Sequence, residues 1–206
     1  MSTFAFVDAS NLFYGGEKSL GWKVDYQKLL GYLKEKYGAS EIFYFGGVEI
    51  YDFPYNYLEN ETVPLAELEK HLIAIIKTQN LNEAGLLLIG KHLQRVRFYR
   101  NLERFGYKLF LKPVKLYEHE DGSTRRKANC DVEMAFHLMK EQYSFKQVVI
   151  LSGDGDFLPV LKYLRATGRK VVVLARGPRT AKEIKQFAGS DFRDFEYLKN
   201  RLKWEK

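Results

Sequence analysis

Four aspartates are the residues of this sequence best placed to do chemistry. Asp8 closes the apolar run Thr3–Val7, and Asp154 and Asp156 follow a second such run, Gln147–Leu151, within Ser152-Gly153-Asp154-Gly155-Asp156. A carboxylate just past the end of a buried strand points into the crevice where ligands collect in an open parallel sheet. The glycines permit a tight turn, and the i, i+2 spacing aims two carboxylates at one cation or leaves one to position water. Asp131 stands at the start of a helical pattern formed by Val132, Ala135, Phe136 and Met139, with Asn129 as its cap. Each Asp also has a plain structural use. Asp8 suits an Asx-turn or a cap, Asp131 is favoured by the helix dipole, and either Asp154 or Asp156 can cap the following helix. A cap accounts for one of that pair and leaves the other unexplained. Brought together in a desolvated crevice, such carboxylates repel one another. A hard divalent cation offsets that repulsion, prefers oxygen ligands, and stabilises charge on a phosphodiester in an in-line displacement.

The elements that must position these residues read as an α/β fold. Short apolar runs rich in β-branched and aromatic residues alternate with helical patterns. The predicted strands are Thr3–Val7, Glu41–Ile50 with a Gly46-Gly47 interruption, Gln147–Leu151 and Arg169–Ala175. A helix is predicted over Asp25–Tyr37, stopped by Gly38, and another carries Phe157, Val160, Leu161 and Leu164 on one face, ended by Gly168. The less typical stretch 51–105 carries helices over Leu65–Lys77 and Leu93–Phe105, while Leu86–Ile89 fits either a strand or a helical turn. Tyr107–Tyr117 reads as extended, and Glu118–Arg126 as a polar loop with Asp121-Gly122 at its tip. No repeat or interdomain linker interrupts the chain, so one domain over residues 1–206 is expected. The helix within 51–95 is apolar enough to form a homodimer or to clamp substrate.

Bulk properties narrow the function. The single cysteine, Cys130, excludes an intrachain disulfide and a Cys-based zinc cluster. The N-terminus lacks a signal-peptide pattern, and no run approaches the roughly 18–20 apolar residues of a membrane span, so a cytoplasmic protein without membrane partners is expected. A net charge of +7 favours a polyanion such as nucleic acid. The 14 Tyr and 15 Phe fit an aromatic core more readily than a base-stacking surface. Arg95, Arg97, Arg100 and Arg104 crowd one helix and read chiefly as solvated surface, whereas Arg125, Arg126 and Lys127 stand close before Asp131. Arg176-Gly177-Pro178-Arg179 leaves the last buried strand at the crevice edge.

Three segments in order, FVDASNLFY, RRKANCDVEMAFHL and VVILSGDGDFLPVLKYLRATGRKVVVLA, resemble the NYN domains, and more closely the LabA-like branch of the PIN-like superfamily. The resemblance implies a doubly wound, mostly parallel PIN-like sheet flanked by helices and a Mg²⁺- or Mn²⁺-dependent nuclease site, with RNA ahead of DNA as substrate. By motif, Asp8, Asp131 and Asp154 are expected as metal ligands and Asp156 as a further catalytic carboxylate. Asn11 and Ser152 support them, with Lys127 and Arg126 ahead of Asp131 and Arg176 at the crevice edge. The ending AKEIKQFAGSDFRDF is similar to the family's closing helix and strand, which implies that Ser190 and Asp191 lie near the site. The family commonly reads Lys-Gly-Val-Asp-Val where this chain has the more polar Lys127-Ala128-Asn129-Cys130-Asp131-Val132. Two other functions fit parts of the pattern. A non-catalytic nucleic-acid-binding or regulatory module would keep the fold without turnover. A HAD-like phosphatase would use GDGD after a strand, but it needs a second Asp where Asp8-Ala9-Ser10 has serine.

Overall fold

A computed structural model describes residues 2–13, 18–118 and 124–205, with the side chains of residues 18, 116–118 and 124–127 outside that description. Its centre is a six-stranded sheet built from β1 (Thr3–Asp8), β2 (Ala39–Val48), β3 (Lys108–Pro113), β6 (Gln147–Leu151), β7 (Lys170–Ala175) and β8 (Phe192–Asp194). The spatial order is β3-β2-β1-β6-β7-β8 and every neighbouring pair is parallel. The order reverses direction between β1 and β6, so this α/β fold is doubly wound, and a crevice opens at the carboxyl ends of those two strands. Asp8 ends one of them and Ser152 follows the other.

Alternation along the buried strands feeds two cores. In β1, Ala5 and Val7 face one layer, and Phe4 and Phe6 face the other. After the short α1 (Lys18–Leu20), the first layer packs α2 (Tyr26–Tyr37), α3 (Leu65–Thr78) and α4 (Glu83–Phe105) against the sheet. The second packs α5 (Asp131–Lys140), α6 (Leu158–Ala166) and α7 (Lys182–Ala188). The aromatic residues serve this core: Phe6 stacks on Phe43 and Phe45, with ring centroids 4.8 and 6.0 Å apart, and Phe45 stacks on Phe110 at 5.1 Å.

Local signals set several boundaries. The Asp25 carboxylate accepts from the N–H groups of Gln27 and Lys28 and starts α2, while Gly38, at φ 65°, ends it. The predicted ends of β2 move two residues toward the N-terminus, to Ala39 and Val48. Leu86–Ile89 is helical, because α4 begins at Glu83, where the Asn82 side chain accepts from the Gly85 N–H, and runs 23 residues. Extended structure from Tyr107 breaks at Val114, separating β3 from β4 (Lys115–Glu118). The predicted loop is shorter than expected: Thr124–Lys127 forms β5, antiparallel to β4, with Lys115 opposite Lys127. Asp121-Gly122 lies outside the described residues.

One expectation about packing is corrected. On α5 the buried residues are Met134, His137 and Leu138, whereas Val132 is 77% and Phe136 57% exposed. The two stripes have the same helical period. The buried stripe places Met134 and Leu138 in the second core and lays the His137 ring against Phe110 and Phe45, at 3.9 and 5.6 Å between centroids. On α3 the apolar stripe Leu65, Leu68, Leu72 and Ile75 is buried in the chain's own core. Among the described residues no helix is long and apolar enough to cross a membrane.

Candidate metal centre

Asp8 is only 9% exposed, and its two carboxylate oxygens have different partners. Oδ1 accepts from the backbone N–H groups of Ser10 (2.9 Å) and Asn11 (3.1 Å), capping the helical turns over residues 9–13. Oδ2 accepts from the Ser152 hydroxyl at 3.0 Å. The Asp8 carboxyl is pushed up from its ordinary 3.8 to about 6, chiefly by burial and in lesser part by the nearby Asp131 charge, against the lowering effect of those three hydrogen bonds.

The loop after β6 is tied to the loop after β1. Ser152, buried like Asp8, accepts the Asp154 N–H at 3.2 Å on the same oxygen that donates to Asp8. The Gly153 N–H donates to Asn11 Oδ1 at 3.0 Å, so Asn11 acts as a brace between loops. A Cβ at Gly153 would stand 2.6 Å from Thr180 Oγ1 and 2.9 Å from its Cα, because the loop leaving β7 presses on this turn. Asp154 Oδ1 accepts the Asp156 N–H at 3.0 Å and caps the short 3₁₀ turn Gly155–Phe157. Asp154 is therefore the cap of this pair, and Asp156 is left exposed toward solvent.

Asp131 enters from the start of α5, its N–H donating to Asn129 Oδ1 at 2.8 Å, while the N-cap position itself is Cys130, with no side-chain cap bond. Asp131, Asp154 and Asp156 each offer a carboxylate oxygen, and these atoms all lie within 4.8 Å of one another. Asp8 stands outside that trio but lines the same cleft of about 670 Å³ with Asp131 and Asp154. The donor set is all carboxylate oxygen, close-packed and of one sign, and suits a divalent cation.

The cleft also contains residues that the sequence does not single out. Tyr26, Tyr44, Tyr99 and Glu49 line it. Two cations named from the sequence join them: Arg179 from the loop after β7, expected at the crevice edge, and Arg95 from α4, expected as solvated surface. The arginines of α4 divide by face: Arg97 and Arg100 pair with Glu69 of α3, whereas Arg95 faces the cleft, over the Tyr99 ring. The sequence pattern groups all four, although Arg95 and Tyr99 at i, i+4 share a side of the helix and Tyr99 hydrogen-bonds Gly47 O beneath the cleft at 2.7 Å.

Several expected support residues lie elsewhere. Arg176 is turned away from the carboxylates and pairs with Asp194 (3.1 Å) and Glu196 (2.5 Å), tying the end of β7 to β8 and the turn beyond it. Ser190 and Asp191 precede β8, and Asp191 lies 3.7 Å from Lys170, the first residue of β7. They therefore sit at the amino-terminal edge of the parallel sheet, opposite the edge that bears Asp8 and Asp154. The side chains of Arg126 and Lys127 lie outside the described residues, but their strand leads directly into Ala128 and Asn129, which line the cleft.

Comparison with known proteins agrees with this architecture. The Low amplitude and bright protein LabA of Synechococcus elongatus is 24% identical over 183 residues, covering 87% of this chain and 76% of that protein. A solved protein of unknown function from Vibrio parahaemolyticus superposes with a TM-score of 0.60 at 15% identity, over 97% of this chain and 95% of its own. The family model for the NYN domain matches residues 2–198, nearly the whole length, and the chain belongs to the NYN domain family.

Proposed function

We propose that this chain is a metal-dependent ribonuclease, one NYN/PIN-like domain that hydrolyses phosphodiester bonds at the carboxylate cleft. The observation that carries the reading is the approach of Asp131, Asp154 and Asp156 to within 4.8 Å of one another, at the topological switch point of the sheet and beside a buried Asp8. Asp131, Asp154 and Asp156 would hold the cation, Mg²⁺ or Mn²⁺, with Asp8 lining the same cleft. When bound, such a cation activates a water and stabilises charge on the phosphoryl group. Ser152 and Asn11 fix the carboxylates by bonding across the two loops. Arg95 and Arg179, which line the same cleft, would hold a phosphate there. RNA is put ahead of DNA on the strength of the family resemblance.

A second reading, a non-catalytic nucleic-acid-binding module, has one specific point in its favour: both oxygens of Asp8 already accept hydrogen bonds from the protein. One assay separates the two. RNA, single-stranded DNA and duplex DNA are incubated with Mg²⁺ or Mn²⁺ and wild-type protein, Asp8→Asn or Asp154→Asn. The nuclease reading expects metal-dependent RNA products that fall by about a hundredfold or more in both folded variants. Undiminished cleavage in both variants, or no product from the wild type with either metal, overturns it.

A further inference from the structure

A second cleft, of about 630 Å³, adjoins the carboxylate site, and Phe13, Tyr26 and Arg95 line both. Its outer part combines two kinds of group. Lys23 and Lys91 stand exposed on its walls and, with Arg95, present three positive charges. Phe98, Phe105 and Trp204 supply flat apolar surface. Trp204 is 45% exposed, and its position is set by a 2.9 Å bond from its backbone N–H to the Lys23 carbonyl. Asp25 is the acidic residue of the lining, and its Oδ1 is engaged by the N–H groups of Gln27 and Lys28.

We infer that this adjoining cleft is a subsite for single-stranded nucleic acid: it stacks an unpaired base next to the phosphate held at the carboxylates, and so selects single strands over duplex. The inference rests on the nuclease reading for the choice of nucleic acid as occupant. The chemistry of the walls matches that occupant in three respects. Aromatic faces stack bases of any sequence, provided the bases are not already paired and stacked in a duplex. Flanking lysines neutralise backbone phosphates. Continuity through Phe13, Tyr26 and Arg95 lets one strand occupy both clefts at once. Neither α4 alone nor the C-terminal segment alone makes this surface. It exists because the short bridge between Val24 and Lys203 brings Trp204 to the start of α2.

The test is binding without turnover. Fluorescein-labelled single-stranded and hairpin-duplex RNA oligonucleotides are titrated in EDTA, across a salt series, with the wild type, Trp204→Ala, Trp204→Phe and Lys91→Ala. Trp204→Ala is expected to weaken single-strand binding about tenfold, with duplex binding unchanged. Trp204→Phe keeps a stacking face and restores most of the affinity. Lys91→Ala lowers the slope of log affinity against log salt by about one. Should Trp204→Ala lose its circular-dichroism signal, Trp204→Phe and Lys91→Ala carry the test. Wild-type affinity and salt slope in Trp204→Ala and Lys91→Ala overturn the subsite, as does wild-type binding that is equal or tighter for duplex. A protein that binds single strands through Trp204 yet cleaves nothing retains the subsite and loses the nuclease reading. Metal-dependent cleavage with binding indifferent to Trp204 does the reverse.

Discussion

Replacing Asp8 by asparagine should make the metal-free protein more stable at neutral pH. The folded carboxyl titrates at about 6 against an ordinary 3.8, chiefly because the group is buried. Its folded pKa lies above its unfolded one, so the native state binds the proton more tightly. The associated stability is fully present below about pH 4 and is lost as pH rises through about 6. Above that, keeping the charge buried costs about 3 kcal/mol at about 1.36 kcal/mol per pKa unit. The asparagine side chain keeps an oxygen for the Ser10 and Asn11 N–H groups and places an amide against Ser152 Oγ, so the change removes charge and leaves the capping intact. Urea melts of both proteins in EDTA at pH 4, 6 and 7.5 read the effect directly. The variant should gain little at pH 4 and about 3 kcal/mol at pH 7.5, roughly 6–12 °C in Tm for a chain of this size. Titrating groups that do not interact with Asp8 are common to both proteins and cancel in the difference. Adding Mg²⁺ or Mn²⁺ should shrink the gap, because the wild type, with the extra charge of Asp8 in the cleft, binds the cation more tightly than the variant and gains more by mass action. A variant no more stable than wild type at pH 7.5, or equally more stable at all three pH values, refutes the assignment of a buried, destabilising charge to Asp8.

Gly153→Ala should destabilise by about 1–3 kcal/mol or more in thermal melts, since the new methyl meets the Thr180 backbone, and cleavage should fall with the displaced loop. Arg176→Ala should cost roughly 1–3 kcal/mol of stability, by removing the charged partner of Asp194 and Glu196, although Asp194 still accepts from the Gly177 and Glu196 N–H groups, while the cleavage rate of the folded protein stays near wild type; a rate loss at constant stability would return Arg176 to the site. His137 is held below its ordinary pKa by burial among Phe45 and Phe110. Stability is therefore whole above about pH 6.5 and declines as pH falls, when the unfolded imidazole takes up a proton first. His137→Phe should flatten that acid limb in melts between pH 7.5 and 5, and an unchanged limb would contradict it.

The strands that end in function are legible in the chain alone. Thr3–Val7 and Gln147–Leu151 are apolar without alternation because both faces of the sheet are covered, and that pattern survives in any correct fold. Equally legible are the turns whose geometry is local: Asp25 and Gly38 on α2, and the Gly-spaced acids after β6. The nearness of Asp131 to Asp154 and Asp156 is different. Helix-dipole preference alone explains an Asp at the start of α5, and only the packing of that helix over the sheet carries it to the β6 loop. Packing also selects which stripe of α5 is buried, because a helical period fits two adjacent stripes. It divides the arginines of α4 into partners of Glu69 and the one that faces the cleft. Arg176 and Asp191 follow the same rule: each sits close in sequence to a strand end, but the side chain opposite it, or the end of the strand it joins, is fixed by contacts distant in the chain. Periodicity and turn chemistry are nearest-neighbour properties of the chain. The meeting of two walls is a property of the packed core.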